Sequence, residues 1–340
     1  MFFLNIVLTI LTIVAYALPF LAPKMFPLFS VLTLFLPLFL IVNGLFFIYW
    51  GILLKRQIIL SALVLLAGIT FINKFYKFSG GQLPEEEGDF KIMSYNVRLF
   101  NLFEWITDKD VPGDMMKFIN EQNPDILCIQ EFSTSANMDF KVYPHRFIMM
   151  QGDKIKTGQG IFSKFPIINE GKLDLPHSNN NVVFVDIRKG LDTLRVYSMH
   201  LQSVKITPDV DEINQDNINS MDQKKSQAIF RRLSEAFTRQ QQQAEIMVDH
   251  IKQCHYPIII CGDMNNSAFS YVYRNIKGNL QDSFETAGTG FGQTYNFKYY
   301  PARIDYIFVD SKIKIKDFSS FSKFEYSDHF PIMTRVSMKN

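Results

Sequence analysis

The sequence predicts an α/β domain that follows an all-helical, apolar N-terminal segment, and two features carry that prediction. Charge is nearly absent from the first part of the chain: no acidic residue precedes Glu85, and Lys24, Lys55, Arg56, Lys74 and Lys77 are its only basic residues. Beyond residue 89 the texture changes to short runs rich in β-branched and aromatic residues, some alternating with amphipathic helical patterns.

Residues 1–23, 25–54 and 57–73 are uncharged. A helix needs roughly 20 apolar residues to cross the hydrocarbon core, with about 17 the lower limit. The first two stretches meet this comfortably and the third only just. All-round apolarity over three successive segments fits lipid-facing helices better than buried core helices. Ala15-Tyr16-Ala17 has the form of a signal-peptide cleavage site. No basic residue precedes it and two more apolar segments follow, so the first segment is expected to be retained. Lys55-Arg56 marks the second short loop as cytoplasmic, which directs the rest of the chain outward, while Lys24, Lys74 and Lys77 pull the other way. The expectation is an integral, multi-pass membrane protein with an extracytoplasmic domain.

Residues 1–77 therefore read as an anchor of three transmembrane helices, 78–89 as a polar linker, and 90–340 as the folded domain. Beyond Lys77 there remain 30 basic against 33 acidic residues, so that domain lacks the broad positive field of proteins that coat nucleic acid. Cys128, Cys254 and Cys261 are too few, and odd in number, for a disulfide framework.

The strand-like runs are FKIMSYN, DILCIQE, GIFSKF, VVFVDI, LRVYSMH, PIIICGD, IDYIFVD and FPIMTRV. The clearest helix covers about 223–253, where Phe230, Leu233, Phe237, Ala244, Met247 and Ile251 recur at a 3–4 spacing that Gln240 interrupts; this stripe reads as core packing. Residues 204–222 read as a long polar loop, whose Asp209-x-Asp211 lacks the glycine and glutamate of an EF-hand.

Polar residues recur where these apolar runs end, the place a scaffold presents chemistry. They are Asn96, Glu131, His200, Asp263 with Asn265, Asp305, and Asp328 with His329. Each alone has a bland reading as a turn former, a helix cap or a structural histidine. Together they are an oxygen-rich set with two imidazoles and no thiolate, suited to a hard cation such as Mg²⁺ or Mn²⁺ rather than zinc.

The ordered set YN, QE, HL, GDMN, RIDYI and SDHFP resembles the endonuclease/exonuclease/phosphatase superfamily of DNase-I-like metal-dependent phosphohydrolases, over roughly residues 89–337. The resemblance implies a four-layer α/β/β/α sandwich and a metal-dependent hydrolase of phosphoesters, acting here at a membrane. It implies Glu131, Asn96 and Asp328 as the metal side of the site. It implies a His329–Asp305 dyad, Asp263 aligning or deprotonating the attacking water, Asn265 donating to a phosphate oxygen, and His200 at the phosphate or the leaving group.

Arg98 stands where the abasic-site repair branch carries an acidic residue, and His200 where that branch has tyrosine, so the chain looks closer to the DNase, sphingomyelinase and inositol-phosphatase side. Arg98 would grip phosphate; it and Asn101 read equally well as surface residues. The partners implied are the lipid bilayer and a phosphoester substrate: a lipid head group, a nucleic acid or an inositol phosphate. No protein partner is evident. Loops near 132–158, 203–222 and 285–300 would select among these substrates. A nuclease, and a non-catalytic receptor or scaffold on the same sandwich, are the alternatives. A transporter finds no support, because the apolar helices carry no charge within them.

Overall fold

The computed structural model describes residues 1–107, 109–134, 138–152, 156–176, 178, 180–204 and 223–339. The acidic loop expected at 204–222 thus falls almost entirely outside the described residues. The chain forms two compact units: Met1–Phe75 with Gln202–Ala244 and Asn266–Ile276, and Tyr76–Leu201 with Glu245–Asn265 and Lys277–Asn340.

In the first unit, Phe2–Phe20 and Pro27–Ile52 are each long and apolar enough to cross a membrane. The third stretch is broken: Ile58–Ala67 and Ile69–Phe75 meet at 66°, so it counts as a span only if the bent pair crosses as one. The break falls at Gly68, where an added Cβ would lie 1.9 Å from the Tyr16 hydroxyl, and that hydroxyl donates to the Val64 carbonyl. Close approach by Tyr16 therefore requires glycine there.

Polar side chains of these helices turn inward. Trp50 Nε1 donates to Asn5 Oδ1, Asn5 Nδ2 to Ser61 Oγ and Asn43 Nδ2 to Thr12 Oγ1, all buried. Phe3, Leu45, Leu63 and Leu66 face outward. This is the inverse of a water-soluble bundle and the pattern expected of helices solvated by lipid. The helix Gln223–Lys252 forms as expected, with Leu233, Phe237, Ala244 and Met247 buried but Phe230 exposed. Gln240, which breaks the stripe, is buried and satisfied by the Gln202 carbonyl and Asn266.

The second unit contains two six-stranded mixed sheets. In chain order the strands are β1 Phe90–Asn96, β2 Ile126–Phe132, β3 His145–Gln151, β4 Thr157–Ser163, β5 Ile167–Leu173, β6 Val182–Lys189, β7 Asp192–His200, β8 Ile258–Asp263, β9 Gln281–Asp282, β10 Asp305–Val309, β11 Ile313–Ser320 and β12 Ile332–Met338. One sheet runs β11-β12-β1-β2-β4-β3 and the other β5-β6-β7-β8-β10-β9. Among the described residues, only β1–β2 and β7–β8 pair in parallel; the other pairs are antiparallel.

Alternation along the strands builds the layers. Ile92, Cys128, Val183, Val185, Ile187, Val196, Ile259 and Cys261 pack in one core between the sheets. Met93, Tyr95, Leu127 and Ile129 point the other way, onto Val111, Met115 and Ile119 of the helix Val111–Gln122. Phe184 and Tyr197, on the outer face of the second sheet, meet the His250 ring of the long helix. The expected helix–sheet–sheet–helix sandwich is thereby present.

Residues 83–89, read above as linker, lie along β11 and β12. The Leu83 amide donates to the Lys316 carbonyl, Arg335 donates to the carbonyls of Leu83 and Pro84, and buried Lys316 pairs with Glu86 and Asp89.

Candidate functional site

Chain topology brings the strand-end residues to one rim of the sandwich. β1 and β2 pair in parallel with Asn96 opposite Gln130, and β7 and β8 pair in parallel with His200 opposite Asp263. β10 returns antiparallel with Asp305 opposite Asp263. Parallel neighbours end at the same edge, which gathers residues far apart in sequence.

Glu131 reaches the same rim through a local departure from strand geometry. The β2–β4 register shifts between Ile129 and Phe132, and Glu131 has φ of 51°. Such a bulge re-aims a side chain that regular alternation would direct elsewhere. Asn265, just past β8, has φ of 52°. Left-handed backbone at non-glycine residues is strained, and such strain concentrates at functional sites.

Asp263 is the hub. Asn96 Nδ2 donates to its Oδ2 at 3.1 Å and lies 3.4 Å from Glu131 Oε1. The Asn265 amide donates to Asp263 Oδ1 at 2.7 Å, and Asn265 Nδ2 donates to Oδ2 at 3.0 Å. His329 Nε2 and His200 Nε2 each stand 3.7 Å from Asp263 Oδ2, and His200 Nε2 is also 3.7 Å from Glu131 Oε1. On its far side, His329 Nδ1 is hydrogen-bonded to Asp305 Oδ2 at 2.9 Å. Asp328 joins through Ser327, whose hydroxyl donates to the Asn96 carbonyl and lies 3.2 Å from Asp328 Oδ1.

All eight residues singled out from the sequence thus belong to one connected cluster. The Asn96 side-chain oxygen accepts from the Arg98 amide while its NH₂ faces the Glu131 and Asp263 carboxylates.

Electrostatics follow from burial and crowding. Burial pushes the Asp263 carboxyl up to about 8, with Asp305 and Glu131 adding to the rise and His329 opposing it. Burial disfavours charge on His329, but Asp305 and Asp263 overcome it and hold the imidazolium well above the ordinary histidine range. Burial holds His200 below that range, and its Nε2 has no hydrogen-bond partner among the described residues. Asp263, Asp305 and His329 offer ligand atoms within 4.8 Å of one another, a geometry able to hold a metal ion.

Three features escaped sequence reasoning. The first is a polar layer inside the sandwich. Gln130 Nε2 donates to Ser198 Oγ, Ser198 Oγ to Gln159 Oε1, and Gln159 Nε2 to the Asn181 side chain and carbonyl. The same Asn181 carbonyl accepts from the His200 amide. The second is a left-handed turn over Arg98–Asn101, with φ between 44° and 60° and no glycine. Asn101 clasps it through two bonds with the Ile106 backbone. Arg98 there stacks on Trp105 at 4.3 Å and stands 3.6 Å from Asp328. The third is Tyr295, whose ring meets His329 edge-on.

A family model described as the Endonuclease/Exonuclease/phosphatase family matches residues 93–329, and a model described only as a domain of unknown function matches residues 1–75. No curated protein matches the chain. Among solved structures, a humanized D. rerio TDP2 superposes with a TM-score of 0.54 at 15% identity, covering 74% of this chain and 100% of that one. The human Nocturnin catalytic domain gives 0.54 at 14% identity over 78% of this chain and 98% of that one. The mannosyl-6-phosphatase Bt3783 of Bacteroides thetaiotaomicron gives 0.51 at 18% identity, over 73% and 100%. At these identities the likeness is one of fold.

Proposed function

Because this chain belongs to the Endonuclease/Exonuclease/phosphatase family, we propose that it hydrolyses phosphoester bonds at a membrane with the help of a divalent cation. The supporting observation is the convergence of Glu131, Asp263 and the Asp305–His329 pair, drawn from both sheets, on one rim. The donor set fits a hard cation: it is rich in carboxylate oxygens and contains no thiolate.

We assign the metal to Glu131 and Asp328, both partly exposed, with Asn96 orienting Glu131. Asp305 and His329 already satisfy each other, so the cation is placed beside Glu131 rather than within the buried triad. When bound, Mg²⁺ or Mn²⁺ would polarise a phosphoryl oxygen and neutralise developing charge.

The remaining work falls to the chain. Asp263, held by three N–H donors, orients the attacking water and takes its proton; a carboxylate raised toward neutrality is a competent base. The His329 imidazolium, kept charged by Asp305 and Asp263, donates from Nε2 to a phosphoryl oxygen. Neutral His200 offers its buried Nε2 to the phosphate or the leaving oxygen. Asn265 Nδ2 directs its two hydrogens to Asp263 Oδ2 and the Leu201 carbonyl, so its part is to hold Asp263 in place. Arg98 adds positive charge beside Asp328.

The apolar helices tether this domain to a bilayer, which favours lipid head groups by raising their effective concentration. Lys55-Arg56 between the apolar helices favours an extracytoplasmic domain. A nuclease is the second reading. It draws on exposed Phe103 and Trp105 beside Arg98, a surface on which bases could stack, and on the TDP2 relative solved with a single-strand DNA product.

The test uses full-length protein in detergent with an aryl phosphodiester and monoester, followed by phospholipids, inositol phosphates, RNA and duplex DNA. Turnover should require Mg²⁺ or Mn²⁺ and stop with EDTA. Turnover indifferent to EDTA, or none on any substrate, would overturn the proposal.

A further inference from the structure

The last apolar helix ends at Phe75, and the next residues open the second unit with an aromatic cluster. Tyr76 packs edge-on against Phe78, with centroids 4.9 Å apart, and against Phe291, 4.8 Å apart. Phe78 is 86% exposed and Phe291 42%. Rings left in water this way lose the stabilisation that burial would provide. Lys77 lies between them and pairs with Gly290 in both directions, at 2.8 and 2.9 Å. The cluster is thus built from two chain segments more than 200 residues apart, locked by backbone bonds.

We propose that Tyr76, Phe78 and Phe291 seat this domain on the bilayer, their rings in the interfacial zone and Lys77 toward lipid phosphate. Connectivity supplies the occupant: a residue directly following an apolar helix cannot lie far from the surface from which that helix emerges. Aromatic rings with a neighbouring lysine are the side chains that settle at this depth. The inference concerns the surface rather than the reaction, and it stands whether or not the chain is a hydrolase.

Its consequence reaches the candidate site through one loop. Phe291 is followed by Thr294, whose Oγ1 accepts from the Ile304 and Asp305 amides. Next come Tyr295 against His329 and Asn296, whose amide donates to the Asp328 carbonyl. A loop held at the lipid surface by Phe291 is therefore the one that braces Asp305, Asp328 and His329.

The experiment places an environment-sensitive fluorophore at Phe78→Cys and, separately, Phe291→Cys, on a Cys254→Ser background. Cys128 and Cys261 are buried. Full-length protein is reconstituted in phosphatidylcholine vesicles with or without lipids bearing a shallow nitroxide. Leu191→Cys, at a fully exposed turn between β6 and β7, is the water-facing reference. Labels at 78 and 291 should emit to the blue of the reference and lose at least half their intensity to the nitroxide, with the reference unchanged. Labels quenched no more than the one at 191 would overturn the proposal. Phe78 is so exposed that its variant serves even if the one at 291 misfolds. Hydrolysis of a soluble aryl phosphoester, measured in parallel, keeps this outcome separate from that of the proposed activity.

Discussion

His329 Nδ1 and Asp305 Oδ2 meet at 2.9 Å across the two sheets: Asp305 opens β10 in one, and His329 precedes β12 in the other. Both are buried, so the bond works in a medium where an unmatched partner is expensive. Asp305 thereby fixes which ring nitrogen faces Asp263. His329→Ala should lower kcat by about 10²–10⁴-fold, the range typical of a lost proton-handling group. Asp305→Asn keeps the shape but not the charge, and should lower kcat while shifting the pH profile. Steady-state rates between pH 5 and 9 check both; wild-type turnover in His329→Ala would remove this residue from the mechanism.

Loss of the proposed cation ligand should separate binding from folding. Glu131→Gln retains size and hydrogen bonding yet removes the charge that would hold a divalent ion. Mn²⁺ affinity, read by calorimetry on full-length protein, should weaken by at least tenfold, with the melting temperature of metal-free protein near wild type. Undiminished Mn²⁺ binding would shift the assignment to the Asp263, Asp305 and His329 group.

The polar layer behind the site offers a prediction about stability. Gln130 is fully buried and bonds to Ser198 across the sheets, one residue before the left-handed Glu131. Gln130→Leu would leave Ser198 short of a partner, at about 1–3 kcal/mol. It would also loosen the bulge that aims Glu131. Thermal melting should fall by several degrees, and Mn²⁺ binding should weaken with it. Adding Ser198→Ala should cost less than its effect alone, because the two share one network. Strict additivity would mean that the layer is not coupled.

These cases show what the sequence could and could not disclose. Asn96, Glu131, His200, Asp263, Asp305 and Asp328 were legible because a polar residue ending an apolar run is conspicuous. Gln130 and Ser198 lie within such runs and Gln159 just before one, where they look like minor interruptions; only the pairing of two sheets shows that they face one another. The space at Gly68 is taken by the Tyr16 hydroxyl, more than 50 residues earlier, and no local pattern announces that contact. The turn at Arg98–Asn101 lacks the glycine by which left-handed backbone is usually recognised.

Acid should weaken the tie between residues 83–89 and the sandwich. Burial opposes the Asp89 charge, yet Lys316, the Glu86 backbone and Arg335 hold its carboxyl below the ordinary range. A depressed carboxylate contributes stability that is complete above its unfolded value, about 3.9, and is lost as pH falls through the lower folded value. The melting temperature should therefore drop more steeply between pH 4 and 2 in wild type than in Asp89→Asn. Parallel curves would show that the cluster adds nothing to acid resistance.

Arg98 allows strain and binding to be measured against each other. Its φ of 44° places it in the left-handed region, which costs a non-glycine residue about 1 kcal/mol. What it gains there is a guanidinium stacked on Trp105 and held 3.6 Å from Asp328. Arg98→Gly removes the guanidinium and relaxes the backbone, whereas Arg98→Ala removes the guanidinium and keeps the strain. Both should raise KM for an anionic phosphoester by roughly tenfold, the worth of one charge-assisted hydrogen bond. The glycine variant should be the more stable of the two by about 1 kcal/mol. Trp105→Ala should raise KM less, because it frees the guanidinium without deleting it. Equal KM values across wild type and all three variants would make Arg98 a surface residue, and its strained turn would then need another explanation.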